Sequence, residues 1–273
     1  TALVLLARAL ARLPTKVIAD VHGDWRAPTR LYGSRARRLL DPPADALARI
    51  GLRRADGIRT ISAYTSGLVR ESGREPDAEF PAYMDLEPFL GPPAALPETP
   101  RALFVGVLER YKAIDVLAAA WPSVRERIPE ARLHVVGSGS LAAPAGEGIA
   151  WSRALTTVEI AAALDEATLL VLPSRSEGMG RVLVETFCRS RGVVGSRVGG
   201  IPDLVRDGEN GLLVEAGNPA ALADALVRVL ADRELAERLG HEAQASAAGW
   251  VATPEEFARR LRALVSDVTR LSA

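Results

Sequence analysis

Short apolar runs rich in β-branched residues alternate with helical apolar periodicity along the chain of 273 residues. This alternation predicts βα units and parallel sheets, because neighbouring parallel strands need a crossover connection that is usually a helix. The clearest predicted strands are residues 16–21, 57–61, 102–107, 132–136, 168–172 and 192–196. The clearest helical patterns are residues 113–127, 157–164, 219–230 and 254–271. The chain is therefore predicted to be an α/β protein.

A proline-rich stretch divides the sequence. Residues 80–100 contain six prolines and few helix formers, which is the composition of a semi-rigid linker. We predict a first domain over residues 1–91, a second over residues 92–248, and a C-terminal helix within residues 249–273. The sequence leaves open whether this helix packs back on the first domain or on the second. The first domain is expected to be partial and the second nearly complete.

The segment after the predicted strand 168–172 has the features of a phosphate-binding turn. Residues 173–187 read PSRSEGMGRVLVETF, so the chain crosses a turn with Gly178 and Gly180 and then enters a helix. A helix N-terminus presents unpaired N–H groups and a positive dipole end, which suit phosphate. Glu177 lies in the turn and Glu185 about two helical turns further on, so both carboxylates can reach one ligand. The alternative is that Glu177 caps the helix and Glu185 is an exposed surface residue.

A second strand end carries basic residues. The predicted strand 102–107 contains Gly106, and Arg110 and Lys112 follow in the loop to the next helix. Ligands of open parallel sheets bind at the carboxyl ends of the strands, and both motifs fall there. Lysine is a compact charge suited to phosphate oxygens, and it is rare here, since 32 of the 34 basic residues are arginine. We predict that Lys112 binds phosphate; an ordinary surface lysine is the alternative.

Two further glycine motifs lie near the same strand ends. Gly137, Gly139 and Ala142 match the G-x-G-x-x-A fingerprint of dinucleotide-binding proteins. Pro144 and Gly146 prevent the long helix that this fingerprint should open, so we interpret the segment as a loop lining the ligand cleft. Residues 198–202 read VGGIP, which predicts a flexible turn, with a plain connection as the alternative.

Together these segments resemble family 4 retaining glycosyltransferases of GT-B fold. The resemblance rests on the strand with Gly106 and Lys112, on VGSG, EGMG, VGGIP and DGENGLLV in that order, and on the E-x7-E spacing of Glu177 and Glu185. It covers residues 102–240 without interruption and extends more weakly into the first domain. It implies GT-B architecture, in which two Rossmann-like domains with parallel sheets face each other, the first being incomplete in this chain.

The resemblance also implies a reaction. A hexosyl group would pass from a nucleoside-diphosphate sugar to an acceptor hydroxyl with retention of configuration, the second domain binding the donor and the first mainly the acceptor. Carried over by position, Lys112 neutralises the diphosphate leaving group and Glu177 holds hydroxyls of the donor sugar beside the reacting carbon. His22 would approach the donor sugar from the first domain.

The same resemblance assigns further residues to donor binding. Glu185 would accept hydrogen bonds from the ribose hydroxyls. The family usually has arginine directly after the strand glycine, where this chain has Val107, and Arg110 is the only nearby replacement. Gly178 and Gly180 would let backbone amides approach the sugar and phosphate, and Val182 and Leu183 would supply amides of the helix N-terminus. The remaining residues implied in donor binding are Gly106 and Met179.

No Asp-x-Asp sequence occurs, which favours metal-independent catalysis with Lys112 and the helix N-terminus in the role of a divalent ion. No metal site and no cofactor besides the donor substrate are expected. Two other functions are open. A nucleotide-sugar epimerase of related fold would form product without an acceptor, and a non-catalytic fragment would bind the nucleotide sugar without turnover.

Charge bears on the partners. The 34 basic and 34 acidic side chains balance, which argues against nucleic acid as the main partner. Residues 26–59, from Arg26 to Arg59, hold nine arginines, which suit an acidic acceptor or an anionic membrane surface; solvated helix faces explain them equally well. We predict a cytoplasmic protein acting on a sugar, lipid or small-molecule acceptor, with peripheral contact at the inner face of the membrane as an open possibility.

Overall fold

The computed structural model describes residues 1–32 and 37–270, and the chain divides into two compact units. The first unit comprises Thr1–Tyr83 and Ala252–Ala273, and the second comprises Met84–Val251. The sequence predicted a boundary after residue 91, whereas the first of these units ends at Tyr83. The boundary between the units lies earlier because the 3₁₀ turn Glu87–Phe89 packs within the second unit, where Phe89 is fully buried.

A parallel sheet of three strands, in the order β1–β2–β3, forms the centre of the first unit. Its elements in chain order are α1 (Ala2–Ala11), β1 (Ile18–Val21), α2 (Ala27–Tyr32), α3 (Asp41–Arg54), β2 (Gly57–Thr60), α4 (Ala63–Glu71) and β3 (Ala78–Glu79). Ala19, Val21 and Ile58 pack with Leu52 of α3 and Val69 of α4 in a small apolar core. Side chains alternate along a strand, so Asp20 and Arg59 lie on the opposite face of the sheet.

The second unit contains a six-stranded sheet in the order β6–β5–β4–β7–β8–β9, with every pair parallel. Its elements in chain order are β4 (Arg101–Val105), α5 (Ile114–Arg127), β5 (Arg132–Val136), β6 (Ile149–Ser152), α6 (Thr157–Asp165), β7 (Leu169–Leu172), α7 (Arg181–Cys188), β8 (Gly192–Ser196), α8 (Ile201–Leu204), β9 (Gly211–Val214), α9 (Pro219–Leu230) and α10 (Arg233–Ala247). One large apolar core joins α5, α9 and α10 to the sheet. The central strand β7 is buried along its whole length.

The proline-rich segment is bound to the second unit by arginines. Arg189 donates to the carbonyl oxygens of Gly91 and Pro92 at 2.9 and 3.1 Å. Arg191, which is 1% exposed, donates to Ala94 O at 2.9 Å. Proline-rich backbone offers carbonyl acceptors but few N–H donors, and the guanidinium groups satisfy those acceptors.

The last helix, α11 (Pro254–Arg270), belongs to the first unit. Its Phe257 ring packs edge-on against Phe80 with ring centroids 5.7 Å apart. A Cβ added to Gly57 of β2 would lie 2.5 Å from Val268 Cγ2, so this helix packs tightly on the strand. The helix was predicted to run to residue 271, which is outside the described residues.

The predicted α/β class with parallel sheets is confirmed, and all six predicted strands form within two residues of their predicted bounds. Three strands were missed, namely β3, β6 and β9. Each is short and lies at the edge of its sheet, and none has more than three consecutive apolar residues, which is too short a run to mark a strand in the sequence. Among the helices of residues 1–32 and 37–270, none has the length and apolar character needed to cross a membrane.

Candidate functional site

The order of strands in the second unit creates a crevice. From β4 the chain moves outward to β5 and β6, then returns to β7 and continues to β8 and β9 on the other side. The loops after β4 and β7 therefore leave neighbouring strand ends in opposite directions, and ligands of open parallel sheets bind at such a reversal. The first loop carries the 3₁₀ turn Arg110–Lys112, and the second carries residues 173–180.

Lys112 and Glu177 meet in this crevice. Lys112 Nζ donates to Glu177 Oε2 at 2.5 Å, and the side chains are 11% and 13% exposed. A Cβ added to Gly106 would lie 3.6 Å from Lys112 Cε, so the lysine stem runs beside the glycine. Removing two charges from water is costly, so a nearly buried ion pair contributes little to the stability of the fold. A stabilising role alone therefore does not explain this pair. The structure thus brings together the two residues that the sequence placed at separate strand ends.

Arg175, which no sequence motif predicted as a site residue, joins the two loops. Arg175 makes a two-point contact with Asp115, with N–O distances of 2.8 and 2.7 Å. It also donates to Arg110 O at 2.9 Å, and its backbone N–H donates to Tyr111 O at 2.7 Å. The hydrogen bond from Arg175 is the main cause that lowers the pKa of Asp115 below its ordinary value. These bonds fix the positions of Lys112 and Glu177 relative to each other.

The glycine pair of the VGGIP turn lies against the backbone of the Glu177 loop. Gly200 N–H donates to Glu177 O at 2.9 Å. A Cβ at Gly199 would be 1.9 Å from Glu177 O, and a Cβ at Gly200 would be 2.1 Å from Gly178 O. A side chain at either position would push the Glu177 loop away, so this turn is more than a plain connection.

The glycines of the β5–β6 connection support the other loop. Gly137 has φ +143°, and a Cβ there would be 1.8 Å from Gly106 O. A Cβ at Gly139 would be 2.4 Å from Leu108 O. No helix forms between β5 and β6, as the sequence predicted from Pro144 and Gly146. The segment holds the loop after β4 in place.

The turn into α7 begins at Gly180, which has φ +77° and allows the left-handed conformation that starts the helix. The side chains of Met179, Val182 and Leu183 are buried, so only their backbone groups can meet a ligand. The N–H of Leu183 donates to Gly180 O at 2.9 Å and would have to be shared with a ligand. Ser174 is fully buried, and its hydroxyl has no hydrogen-bond partner among the described residues.

Glu185 is partly buried rather than an open surface residue. Burial raises the pKa of its carboxyl group, and the charge of Arg181 acts in the opposite direction. Within the described part of the chain the carboxylate has no hydrogen-bond partner, so its acceptor capacity is available to a ligand. Arg110, by contrast, is exposed to solvent, and within the described part of the chain its side chain forms no hydrogen bond or ion pair with Lys112 or Glu177.

His22 belongs to the first unit, directly after β1. Its Nε2 lies 2.9 Å from Asp20 Oδ2, and the imidazole is 56% exposed. Asp20, His22 and Trp25 line a cavity of about 260 Å³ within this unit. His22 was predicted from the sequence as a site residue, whereas Asp20 and Trp25 were not.

Several arginines of residues 26–59 are engaged within the first unit. Arg26 binds Asp24 at 2.8 Å, Arg30 binds Asp45 at 3.1 Å, and Arg53 donates to Ser72 O at 2.5 Å. Arg59 is 3% exposed and therefore faces no external surface. Residues 33–36 of this predicted contact region lie outside the described residues.

The region that contains both crevice loops resembles known proteins. Residues 99–232 match the family described as Glycosyl transferases group 1. A D-inositol 3-phosphate glycosyltransferase from Corynebacterium efficiens is 32% identical over 183 residues, which are 61% of this chain and 42% of the relative. The chain spans about two fifths of the length of the curated relatives that it matches.

Solved structures show the same fold. Sucrose-phosphate synthase from Thermosynechococcus elongatus has a TM-score of 0.81 at 23% identity, covering 98% of this chain and 71% of that protein. The Anabaena protein HepE in complex with UDP-glucose has a TM-score of 0.72 at 18% identity, covering 97% of this chain and 77% of that protein. At these identities the similarity concerns the fold.

Proposed function

We propose that this protein is a glycosyltransferase, because residues 99–232 match the family described as Glycosyl transferases group 1 and the chain has the GT-B fold. It transfers a sugar from a nucleoside-diphosphate sugar to an acceptor hydroxyl, with retention of configuration and without a metal ion or further cofactor. The observation that carries the proposal is the buried Lys112–Glu177 pair at the strand reversal. The similar solved structures include one with UDP-glucose, so uridine is the first base to test.

Both members of the pair have ligand chemistry suited to the donor. When the donor binds, the ammonium group of Lys112 leaves Glu177 and donates to oxygens of the diphosphate. There it stabilises the negative charge that develops as the leaving group departs. Glu177 is then free to accept hydrogen bonds from hydroxyls of the donor sugar. Glu185, which is partly buried and lacks a partner among the described residues, accepts from the ribose.

The turn at Gly178–Gly180 and the first turn of α7 complete this donor site with backbone amides, which suit anionic oxygens. Fixed positive groups at the phosphates serve the role that a divalent ion serves in other transferases. The first unit binds the acceptor and contributes His22 to the reaction. Relatives named as D-inositol 3-phosphate glycosyltransferases make phosphorylated cyclitols the first acceptors to test.

Ligand-induced stabilisation tests the donor site. Thermal unfolding is followed with UDP, GDP, ADP and their glucose or mannose conjugates, and a true donor at 100 times its Kd adds about 2.7 kcal/mol of stability. Lys112→Met should abolish the shift. Lys16→Met is the matched control, since Lys16 is the only other lysine and lies in the first unit near Asp56. Absence of a shift with every nucleotide would refute the proposal.

Product analysis tests the reaction. Incubation of the stabilising donor with an acceptor should release the nucleoside diphosphate, and NMR of the new glycosidic bond should show the anomeric configuration of the donor. Activity should persist in EDTA. Sugar isomerisation without an acceptor would instead identify an epimerase, and binding without any turnover would identify a non-catalytic protein.

A further inference from the structure

A chain of contacts in the first unit ends at His22. Asp20 of β1 and Arg59 of β2 are paired in register, and Arg59 Nη1 donates to Asp20 Oδ2 at 2.7 Å. The same oxygen, Oδ2, lies 2.9 Å from His22 Nε2. Strand alternation places residue 22 on the face of residue 20, so the contact follows from the backbone. One carboxylate oxygen therefore connects a buried guanidinium to an exposed imidazole.

Both terminal nitrogens and the flat faces of the Arg59 guanidinium make contacts. Its Nη2 donates to Phe80 O and Pro81 O at 3.1 and 2.8 Å. The guanidinium stacks on the rings of Phe80 and Phe257, at 4.3 and 5.2 Å from their centroids. It is 3% exposed, so neither solvent nor a change of rotamer can readily displace it.

The ring of Phe257 comes from α11, whose start is fixed by a capping box. Thr253 Oγ1 accepts from the N–H of Glu256, and Glu256 Oε2 accepts from the N–H of Thr253, both at 3.2 Å. Phe257 N–H donates to Thr253 O at 3.0 Å. The first turn of the C-terminal helix thereby closes the site of Arg59.

Stability alone does not explain this arginine. Its Nε is buried with no hydrogen-bond partner among the described residues, and an unsatisfied buried donor is unfavourable. A buried ion pair is often replaced by apolar residues without loss of stability. Asp20, in contrast, is 43% exposed and would be free to rotate without Arg59. The arrangement fixes a carboxylate that faces an exposed histidine.

We propose that Asp20 and Arg59 are positioning residues for His22, with Phe257 of the C-terminal helix holding Arg59 in place. An unprotonated nitrogen 2.9 Å from a carboxylate would direct its lone pair at a negative oxygen, so Nε2 of His22 carries the hydrogen. Nδ1 is then the nitrogen left open in the neutral ring. This positioning presents His22 to the reactants in one tautomer and one orientation. Only that purpose rests on the proposed function.

A spectroscopic test does not depend on catalysis. The protein has three histidines, so ¹⁵N–¹H correlation spectra can be assigned with His22→Gln. Neutral His22 should be in the Nε2–H tautomer in the wild type, and a mixture of tautomers should appear in Asp20→Ala, Arg59→Met and Phe257→Leu. The control is Arg74→Met, which removes another arginine–aspartate contact of the same unit, Arg74–Asp77 at 3.2 Å. An unchanged His22 spectrum in all three variants would overturn the proposal.

A kinetic test uses UDP-glucose turnover. Misplacement of a reacting group costs on the order of 10- to 100-fold in rate, so Asp20→Asn and Arg59→Met should lower kcat by about that factor while the KM for donor is unchanged. In the His22→Gln background neither substitution should lower kcat further, because both act through the imidazole. Equal losses in both backgrounds would overturn the proposal. If no donor is turned over, the proposed function fails, whereas the tautomer measurement still decides the positioning.

Discussion

The Lys112–Glu177 pair allows a quantitative test of how the crevice is built. Both side chains are nearly buried, so removing one partner leaves the other as an unpaired charge. Loss of one partner of a buried pair costs about 3–5 kcal/mol, and the slight exposure places Lys112→Met and Glu177→Gln near the lower value. The double variant leaves neither charge of this pair in the crevice and should lose no more stability than either single variant.

Urea unfolding followed by tryptophan fluorescence measures this coupling, since Trp121 is buried in the core of the second unit. The single losses of about 3 kcal/mol correspond to falls in Tm of roughly 6–12 °C for a unit of this size. The coupling energy between the two substitutions should be about 3 kcal/mol. The control cycle on Arg127 and Asp224, a pair that is 41% and 71% exposed, should give 1 kcal/mol or less, as is typical of surface pairs.

The same variants separate folding from donor binding. Lys112→Met and the double variant should both lose stabilisation by nucleotide, although the double variant should be no less stable than either single variant. Additive losses in the double variant would refute the interpretation of a mutually dependent buried pair. Retained nucleotide binding in the double variant would refute the role of Lys112 at the diphosphate.

Two further predictions concern the surroundings of the pair, and a third concerns the proline-rich segment. Burial raises the pKa of Glu185, so ionisation of this carboxyl group opposes folding as pH rises. In urea unfolding across pH, Glu185→Gln should be more stable than the wild type at pH 8 and equal to it below the unfolded-state pKa of about 4.3. The same variant should show weaker stabilisation by nucleotide. Gly200→Ala should displace the Glu177 loop and abolish nucleotide-induced stabilisation, whereas Gly67→Ala, where an added Cβ meets no atom, should keep it and gain up to about 1 kcal/mol. Arg191→Met leaves buried carbonyl oxygens without donors, so it should lower the free energy of unfolding in urea by at least about 3 kcal/mol. The control is the exposed Arg228→Met, which should cost less than about 0.5 kcal/mol. A smaller loss at Arg191 would contradict its role in holding the proline-rich segment.

Several of the numerous arginines of this chain make internal contacts that hold separate segments together. Arg175 joins two loops, Arg189 and Arg191 bind the proline-rich segment, and Arg59 fixes Asp20. A guanidinium group offers five donors in a rigid plane, so one side chain can satisfy several backbone carbonyls at once. These arginines serve internal contacts rather than an external acidic partner.

Much of the fold followed from the sequence alone. The alternation of apolar runs with helical periodicity determined the parallel α/β class, because a strand buried on both faces must be apolar along its length. The ordered glycine, lysine and glutamate motifs predicted the GT-B fold, which the solved structures confirm. The same motifs located Lys112 and Glu177 at strand ends.

Contacts between distant segments required the tertiary structure. The sequence placed Lys112 and Glu177 on separate loops, and only the strand order showed that these loops leave neighbouring strands. Arg175, Asp115, Asp20 and Arg59 belong to no local motif, since an ion pair between residues tens of positions apart leaves no periodic signal in either segment. Local pattern therefore determined which elements form and what chemistry they carry, whereas strand order and long-range pairing decided which side chains meet.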